Sequence, residues 1–124
     1  MQLVNPEDCP PQNPTFSQAA VSGGIVFLAG QIGIDPSSGA LVPGGAGPQT
    51  DRIFRNARTI LDAAGSGLDK IVRVTVFLVD MADWPAMNDA YGRHLAGHAP
   101  PKTTVVVSEL ALHARVEIEF TAEV

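Results

Sequence analysis

The sequence predicts an α+β domain in which two helices cover one face of a mixed β-sheet. Three observations lead to this class. The length of 124 residues suits a single domain spanning residues 1–124. A composition of 45% hydrophobic and 17% charged residues is typical of a globular chain. The patterns of apolar residues follow the order β-β-α-β-α-β-β, which places the strands in one layer and the helices in another.

The chain is expected to begin with an irregular arm and a β-hairpin. Residues 1–14 contain four prolines and show no periodicity of apolar residues, which predicts an irregular N-terminal arm. Two short strand-like runs follow at residues 17–21 and 25–29. The Ser-Gly-Gly sequence at residues 22–24 lies between them and is a hairpin turn signal. Residues 35–48 are rich in proline and glycine and are expected to be loop.

Residues 50–64 form the clearest predicted helix. Thr50 or Asp51 can cap its start, and Gly65 can end it. Its apolar residues recur at helical spacing and form one stripe, which consists of Ile53, Phe54, Ala57, Ile60, Leu61 and Ala64.

The next predicted element, residues 71–79, is a strand rich in β-branched residues. Strict alternation places four apolar side chains on one face, namely Val72, Val74, Val76 and Leu78. The other face carries Ile71, Phe77 and Val79. Both faces of this strand are therefore expected to be covered.

A second helix and two strands complete the predicted domain. Asp83 is a suitable N-cap, Pro85 fits the first turn, and Gly97 ends the helix. The apolar stripe of this helix consists of Trp84, Met87, Ala90, Tyr91 and Leu95. Residues 103–110 and 114–122 predict two strands. The apolar face of the last strand consists of Val116, Ile118, Phe120 and Ala122.

The apolar content of the sheet predicts an oligomer. Two helices cover one face, whereas the other face still carries valines from residues 71–79 and 103–107. A large exposed apolar patch marks an interface. We therefore expect a homo-oligomer whose sheets pack against each other.

Charge and segment composition exclude several classes of protein. The net charge of −5 argues against a protein that binds duplex nucleic acid, because such proteins need basic side chains to neutralise phosphates. No apolar run is long enough to span a bilayer. The N-terminus has no signal-peptide pattern, and the single cysteine, Cys9, has no partner for an internal disulfide. A cytoplasmic protein is expected.

Six segments of the chain carry a family resemblance: SQA at 17–19, AGQIGIDPSSGAL at 29–41, NARTILDAAGSGLDKIVRVTVFLVDM at 56–81, MNDAYGRHL at 87–95, PPKTTVVV at 100–107 and VEIEF at 116–120. In this order and spacing they resemble the YjgF/RidA family, also called the endoribonuclease L-PSP or Rid family. The resemblance extends from about Phe16 to the C-terminus. It implies a fold similar to that of trimeric bacterial chorismate mutase and a homotrimer with clefts between subunits.

The resemblance also implies a reaction and a site. Enzymes of this family are deaminases that hydrolyse reactive enamines and imines, such as 2-aminoacrylate, to a 2-keto acid and ammonia, without a metal or organic cofactor. By resemblance, Glu117 positions or activates the attacking water and is catalytic together with Lys102. The resemblance implies that the substrate, a small molecule or anion, is bound by Phe16, Ala29, Gly30, Asn88 and Lys102.

Three of these positions depart from the family pattern. Lys102 stands where the family has an arginine that holds the substrate carboxylate, Phe16 where tyrosine is usual, and Ala29 where serine is common. Arginine holds a carboxylate with a planar fork, whereas lysine offers one point charge on a flexible stem. The departure keeps a second class open, a non-catalytic trimer that binds or senses a metabolite. A third class, ribonuclease or translation inhibitor, follows only from the family's name and gains no support from the acidic charge.

Three interpretations of Lys102 compete. In the first it binds a small anion beside Glu117 or Glu119. In the second it is an edge charge that pairs with a carboxylate such as Glu117 and discourages wrong strand pairing. In the third it is a nucleophile that forms a Schiff base with a carbonyl substrate. Acidic surroundings are expected to raise the pKa of the lysine and so to disfavour the third interpretation.

The histidines give no metal site. His94 and His98 have a spacing that binds metal on a continuous helix, but Gly97 and the following prolines interrupt the helix between them. Exposed or helix-capping histidines are expected instead.

Overall fold

The computed structural model describes residues 1–9 and 13–124. Within them, six strands form one sheet in the order β1-β2-β3-β6-β4-β5. All neighbours are antiparallel except β4 and β5, which are parallel, so the sheet is mixed as predicted. The elements are β1 (Gln2–Val4), β2 (Ala19–Ser22), β3 (Ile25–Leu28), α1 (Ala46–Ala63), β4 (Ile71–Leu78), α2 (Trp84–Leu95), β5 (Lys102–Val106) and β6 (Val116–Glu123).

The predicted irregular arm is wrong at its start, because Gln2–Val4 form the edge strand β1. This strand pairs antiparallel with β2, with Leu3 opposite Ala20. Its residues precede the first proline, so each has a backbone N–H available for a strand ladder. Val4 is buried in the core and attaches the strand to the domain. Residues 10–12 of the predicted arm lie outside the described residues.

Helices α1 and α2 pack against each other and on the sheet. The register of β4 and β6 pairs Val74 with Phe120, and both side chains are buried beneath the helices. Helix α1 begins at Ala46, four residues earlier than the predicted start at residue 50. Pro48 lies in its first turn, where a helix needs no backbone N–H, so this proline is compatible with the earlier start.

A β-bulge in β4 overturns part of the predicted alternation. The register shifts between Ile71 and Arg73, so β4 gains one residue relative to β6. As a result Ile71 and Val74 are both buried on the helix-covered face, whereas Val72 is 38% exposed. Val72 therefore does not share a buried face with Val74, as strict alternation predicted.

The opposite side of the sheet, which we call the open face, is not covered by the described helices. Apolar side chains lie along it, and Leu3, Phe27 and Val105 are 59%, 49% and 39% exposed. Paired residues of neighbouring strands share a face, so the pairs Thr75–Glu119 and Phe77–Glu117 lie on this side as well. The open face thus carries exposed apolar side chains together with charged groups near its centre, namely Arg73, Glu117 and Glu119.

No described helix is both long and apolar enough to cross a membrane.

Candidate functional site

The structure distributes the predicted site residues over two faces of the sheet. Lys102 is paired with Val74 in the β4–β5 ladder, which places it on the helix-covered face. Glu117 is paired with Phe77 and lies on the open face. Paired residues point to the same side of a sheet, so within one chain the two side chains point in opposite directions. The interpretation in which Lys102 pairs with Glu117 of its own chain is therefore wrong.

We call Lys102, Asn88, Tyr91 and Trp84 the amine site. Lys102 begins the edge strand β5, and Val74 N–H donates to the carbonyl of the preceding Pro101 at 3.0 Å, which fixes this strand end against β4. The other three residues belong to α2, where positions three and four apart lie on one helix face. The strand end and the helix face thus bring the four side chains together.

The ammonium group of Lys102 is held by neutral groups. Its Nζ donates to Asn88 Oδ1 at 2.6 Å and lies 4.2 Å from the ring centroid of Tyr91 and 5.9 Å from that of Trp84. Among the described residues, no carboxylate forms an ion pair with it. Burial lowers the pKa of Lys102, which contradicts the expectation that acidic surroundings raise it.

A cavity of about 320 Å³ opens beside Lys102. This volume is at the lower end of the range for small-molecule sites. Within the described part of the chain, the hydroxyl of Tyr91 is buried without a hydrogen-bond partner, and burial raises its pKa to about 12. Asn88, Tyr91, Leu95, His98, Pro100 and Lys102 are among the residues that line the cavity.

We call Phe16, Gly30, Gln31 and Glu117 the carboxylate site. A second cavity, of about 430 Å³, lies among them on the open face. Gly30 leaves room for the Glu117 carboxyl group, because a Cβ added there would lie 2.9 Å from Glu117 Cδ and would displace it. Burial raises the pKa of Glu117, and the charge of Glu119 raises it further. The pKa of Glu117 is therefore closer to neutral pH than that of an exposed glutamate, which suits a group that transfers protons.

Gln31 holds the turn of residues 29–31 against β6. Its backbone N–H donates to the carbonyl of Ile118 at 2.8 Å, and the Ile118 N–H donates back to its carbonyl at 3.0 Å. Its buried side chain donates to Gln18 Oε1 at 3.0 Å and to the Ala29 carbonyl at 3.1 Å. Gln18 and Gln31 were not predicted as site residues. The signal that could have indicated them is a glutamine beside each of two strand-like runs.

The structure brings Phe16, Ala29, Gly30 and Glu117 to one region and places Lys102 and Asn88 in another. Phe16 is half exposed and lines the 430 Å³ cavity. Ala29 does not line that cavity; it lines a separate one of about 570 Å³ together with Phe16, and its N–H donates to the Gln18 carbonyl at 2.9 Å. The other predicted residues border one of the two sites, and within one chain the two sites do not meet.

The loop before β6 contains two left-handed residues that sequence reasoning missed. Leu112 and His113 have φ angles of 56° and 58°, in the left-handed region, which residues other than glycine adopt at a cost in free energy. Leu112 is 60% exposed and lines the carboxylate-site cavity. The residue type of Leu112 does not signal this conformation, whereas histidine is one of the residues enriched in it.

The two spaced histidines have separate partners. His94 Nε2 lies 2.8 Å from Asp51 Oδ1, and its ring stacks on Phe54. His98 Nε2 lies 2.7 Å from the carbonyl oxygen of Ile71. No group of three or more His, Cys, Asp or Glu side chains in the described residues has an arrangement that could hold a metal ion.

Known proteins match the chain over nearly its whole length. A family model described as endoribonuclease L-PSP matches residues 7–124. The 2-iminobutanoate/2-iminopropanoate deaminase of Rattus norvegicus is 34% identical over 121 residues, which cover 98% of this chain and 88% of that protein. RidA from the Antarctic bacterium Psychrobacter sp. has a TM-score of 0.94 at 31% identity, covering 100% of both chains. E. coli TdcF with bound serine has a TM-score of 0.93 at 27% identity, covering 100% of this chain and 99% of that one.

Proposed function

The chain belongs to the endoribonuclease L-PSP family, and from this premise we propose that it hydrolyses small 2-imino acids and their enamine forms to 2-oxo acids and ammonia. The cleft of this reaction lies between two copies of the chain. One copy contributes its amine site and the other contributes its carboxylate site.

The observation that carries the proposal is the placement of Lys102 and Glu117 on opposite faces of one sheet. A 2-imino acid needs a cation for its carboxylate and an acid–base group for the water that attacks its C=N carbon. Each site of this chain offers one of these groups and lacks the other. Two copies in contact supply both to one substrate.

The open face supports contact between copies. Its exposed apolar residues, including Leu3, Phe27 and Val105, form the kind of surface that associates in water. Lys102 lies on the edge strand β5, at the rim of the sheet, where an adjacent copy can approach it. We infer a homotrimer in which the open face of each copy packs against its neighbours and Glu117 of one copy approaches Lys102 of the next.

The chemistry follows from the two sites. The Lys102 ammonium attracts the substrate carboxylate, and Asn88 Oδ1 at 2.6 Å fixes where that ammonium points. Glu117 transfers a proton as water adds to the C=N carbon and ammonia leaves. The cavities of about 320 and 430 Å³ are large enough for an acid of three or four carbons. The rat relative is named for such imino acids, and the E. coli relative was solved with bound serine, a molecule of similar size.

We do not extend the family's ribonuclease name to this chain. Its net charge of −5 opposes binding of a phosphate backbone. The carboxylate site, with Glu117 beside Glu119, is also acidic.

The test is release of ammonia and 2-oxo acid from freshly generated 2-aminoacrylate, with and without the protein. Acceleration that Lys102→Ala lowers by about tenfold or more supports the proposal. A folded wild-type protein that gives no acceleration contradicts it and favours the alternative, a metabolite-binding trimer without catalytic activity. Calorimetric titration with serine and with pyruvate then measures whether the cleft binds a small acid.

A further inference from the structure

The amine site holds a lysine whose partners are all uncharged. Its Nζ contacts the Asn88 amide oxygen and the faces of two aromatic rings. Tyr91 and His98 are the other titratable residues that line its cavity, and neither carries a negative charge at neutral pH. In the proposed cleft, Glu117 of a second copy also faces it, and burial raises the pKa of that carboxyl group. Nothing in the described part of one chain therefore stabilises the ammonium through an ion pair.

A partly buried amine without a counter-ion carries more of its neutral form than an exposed one. Burial lowers the pKa of Lys102, because moving a charge away from water disfavours the charged form. The two aromatic faces act in the opposite direction, since they attract a cation. The net direction is downward. The neutral amine is the form that attacks a carbonyl carbon.

We propose that Lys102 condenses reversibly with small 2-oxo acids and holds them as a Schiff base. The amine nitrogen attacks the carbonyl carbon and forms a carbinolamine. The carbinolamine loses its hydroxyl with a proton as one water molecule, which leaves a C=N bond between Nζ and the ligand. Addition of water reverses both steps and returns the free amine and the 2-oxo acid.

The geometry of the amine site suits this bond. Asn88 Oδ1 accepts a hydrogen bond from Nζ at 2.6 Å and so directs the amine. The amide nitrogen of the same side chain has no acceptor among the described residues, so it is free to donate to the carboxylate of the ligand. Leu95 also lines the cavity beside the amine, and this apolar side chain disfavours the ammonium form.

The inference uses the proposed function only to choose the ligand class. A 2-oxo acid is the product of the proposed hydrolysis, so Lys102 would retain product as a covalent adduct until water releases it. The bond itself depends on the amine site alone. Trapping of the adduct and release of ammonia are separate measurements, so either result can fail while the other stands.

Reductive trapping tests the inference directly. The protein is incubated at neutral pH with pyruvate and cyanoborohydride, which reduces a Schiff base to a stable secondary amine. The chain contains only two lysines, Lys102 and the exposed Lys70, so each adduct can be assigned by peptide mass. We expect the greater part of the adduct at Lys102, with a mass gain of pyruvate less one oxygen atom. Acetaldehyde in place of pyruvate shows whether the carboxylate contributes to binding.

Three variants make the test decisive. Lys102→Arg keeps the charge and removes the amine, so the principal adduct should disappear, whereas Lys70→Arg should leave it unchanged. Asn88→Asp places a carboxylate beside the amine, which favours the ammonium form and should slow trapping while keeping the side-chain shape. Adduct that forms equally at Lys70 and Lys102, or only at Lys70 and the N-terminus, would overturn the proposal. Circular dichroism confirms that each variant is folded.

Discussion

The amine site and the carboxylate site differ in how the fold holds their charged groups. At the amine site, side chains of α2 surround Lys102 on the helix-covered face, and a neutral amide and two rings hold its ammonium group. At the carboxylate site, the backbone turn at Gly30 approaches Glu117 on the open face, and the nearest charge that affects it has the same sign.

Under the proposed function, one chain contains two incomplete sites. Burial lowers the pKa of Lys102 and raises that of Glu117, so each group is shifted toward its neutral form. Within one chain the two groups lie on opposite faces of the sheet, so no ion pair between them shifts the two pKa values the other way. The sites therefore retain reactive groups that a neighbouring copy and a substrate can use.

The largest effect is expected at Glu117. Glu117→Gln keeps the size of the side chain and removes its ability to exchange a proton. We expect kcat for ammonia release to fall by about 100-fold to 10 000-fold, the range typical for loss of a positioned acid–base group. Glu119→Gln is the matched control, because Glu119 lies on the same face and is exposed. A similar loss of activity in both variants would remove the special role of Glu117.

Gly30→Ala tests the close approach at the carboxylate site. The added Cβ would lie 2.9 Å from Glu117 Cδ, so the carboxyl group must move. We expect kcat to fall by about 100-fold, because displacement of a catalytic group by 1 Å has this effect. Gly47→Ala is the control, since its Cβ would lie 3.8 Å from the Ala86 carbonyl oxygen, an ordinary contact. Unchanged kinetics in Gly30→Ala would show that Glu117 does not need its observed position.

Lys102→Ala removes the cation of the amine site. We expect kcat/KM to fall by about tenfold to 100-fold, because a hydrogen bond to a charged group contributes about 1.5–3 kcal/mol. Steady-state kinetics with 2-aminoacrylate measure the change. Lys102→Arg restores a cation and should recover activity or exceed the wild type. If Lys102→Arg is as inactive as Lys102→Ala, the positive charge of residue 102 does not account for its effect on kcat/KM.

The smallest effect is expected in the loop that borders the carboxylate site. His113→Gly should raise the free energy of unfolding by about 0.5–1 kcal/mol. Glycine removes the strain of the left-handed backbone, and the greater entropy of glycine in the unfolded chain offsets part of this stabilisation. Urea unfolding measures the difference. His113→Ala retains a Cβ and should give no gain. Equal stability of the two variants would mean that the φ angle of 58° carries no measurable strain.

Apolar periodicity predicted most of the fold. The stripe of α1, the hairpin signal at residues 22–24 and the alternation along β6 are all local patterns, and the structure confirms them. The stripe of α2 is confirmed except for Trp84, which is 40% exposed. The predictions were wrong where pairing with a strand distant in sequence determines the local structure. Gln2–Val4 become a strand because β2 pairs with them, and the bulge after Ile71 depends on the register of β6. Neither partner is visible in the local sequence.

The family resemblance indicated candidate site residues, among them Lys102, Asn88, Gly30 and Glu117, and whether they act in catalysis stays a prediction. Their geometry was not predictable. Whether Lys102 and Glu117 share a face depends on which residue of β4 each one pairs with, and alternation within a strand does not contain that information. The effect of burial on the pKa of Lys102 also depends on the packing of α2 over the strand end.

Complementation between inactive variants tests the shared cleft most directly. Lys102→Ala retains an intact carboxylate site, and Glu117→Gln retains an intact amine site. When the two chains are co-expressed in equal amounts, random assembly of a symmetric oligomer gives one intact cleft in four, so roughly a quarter of the wild-type rate should return. Activity no higher than the average of the two variants alone, from oligomers shown by mass spectrometry to contain both chains, would contradict a cleft built from two copies.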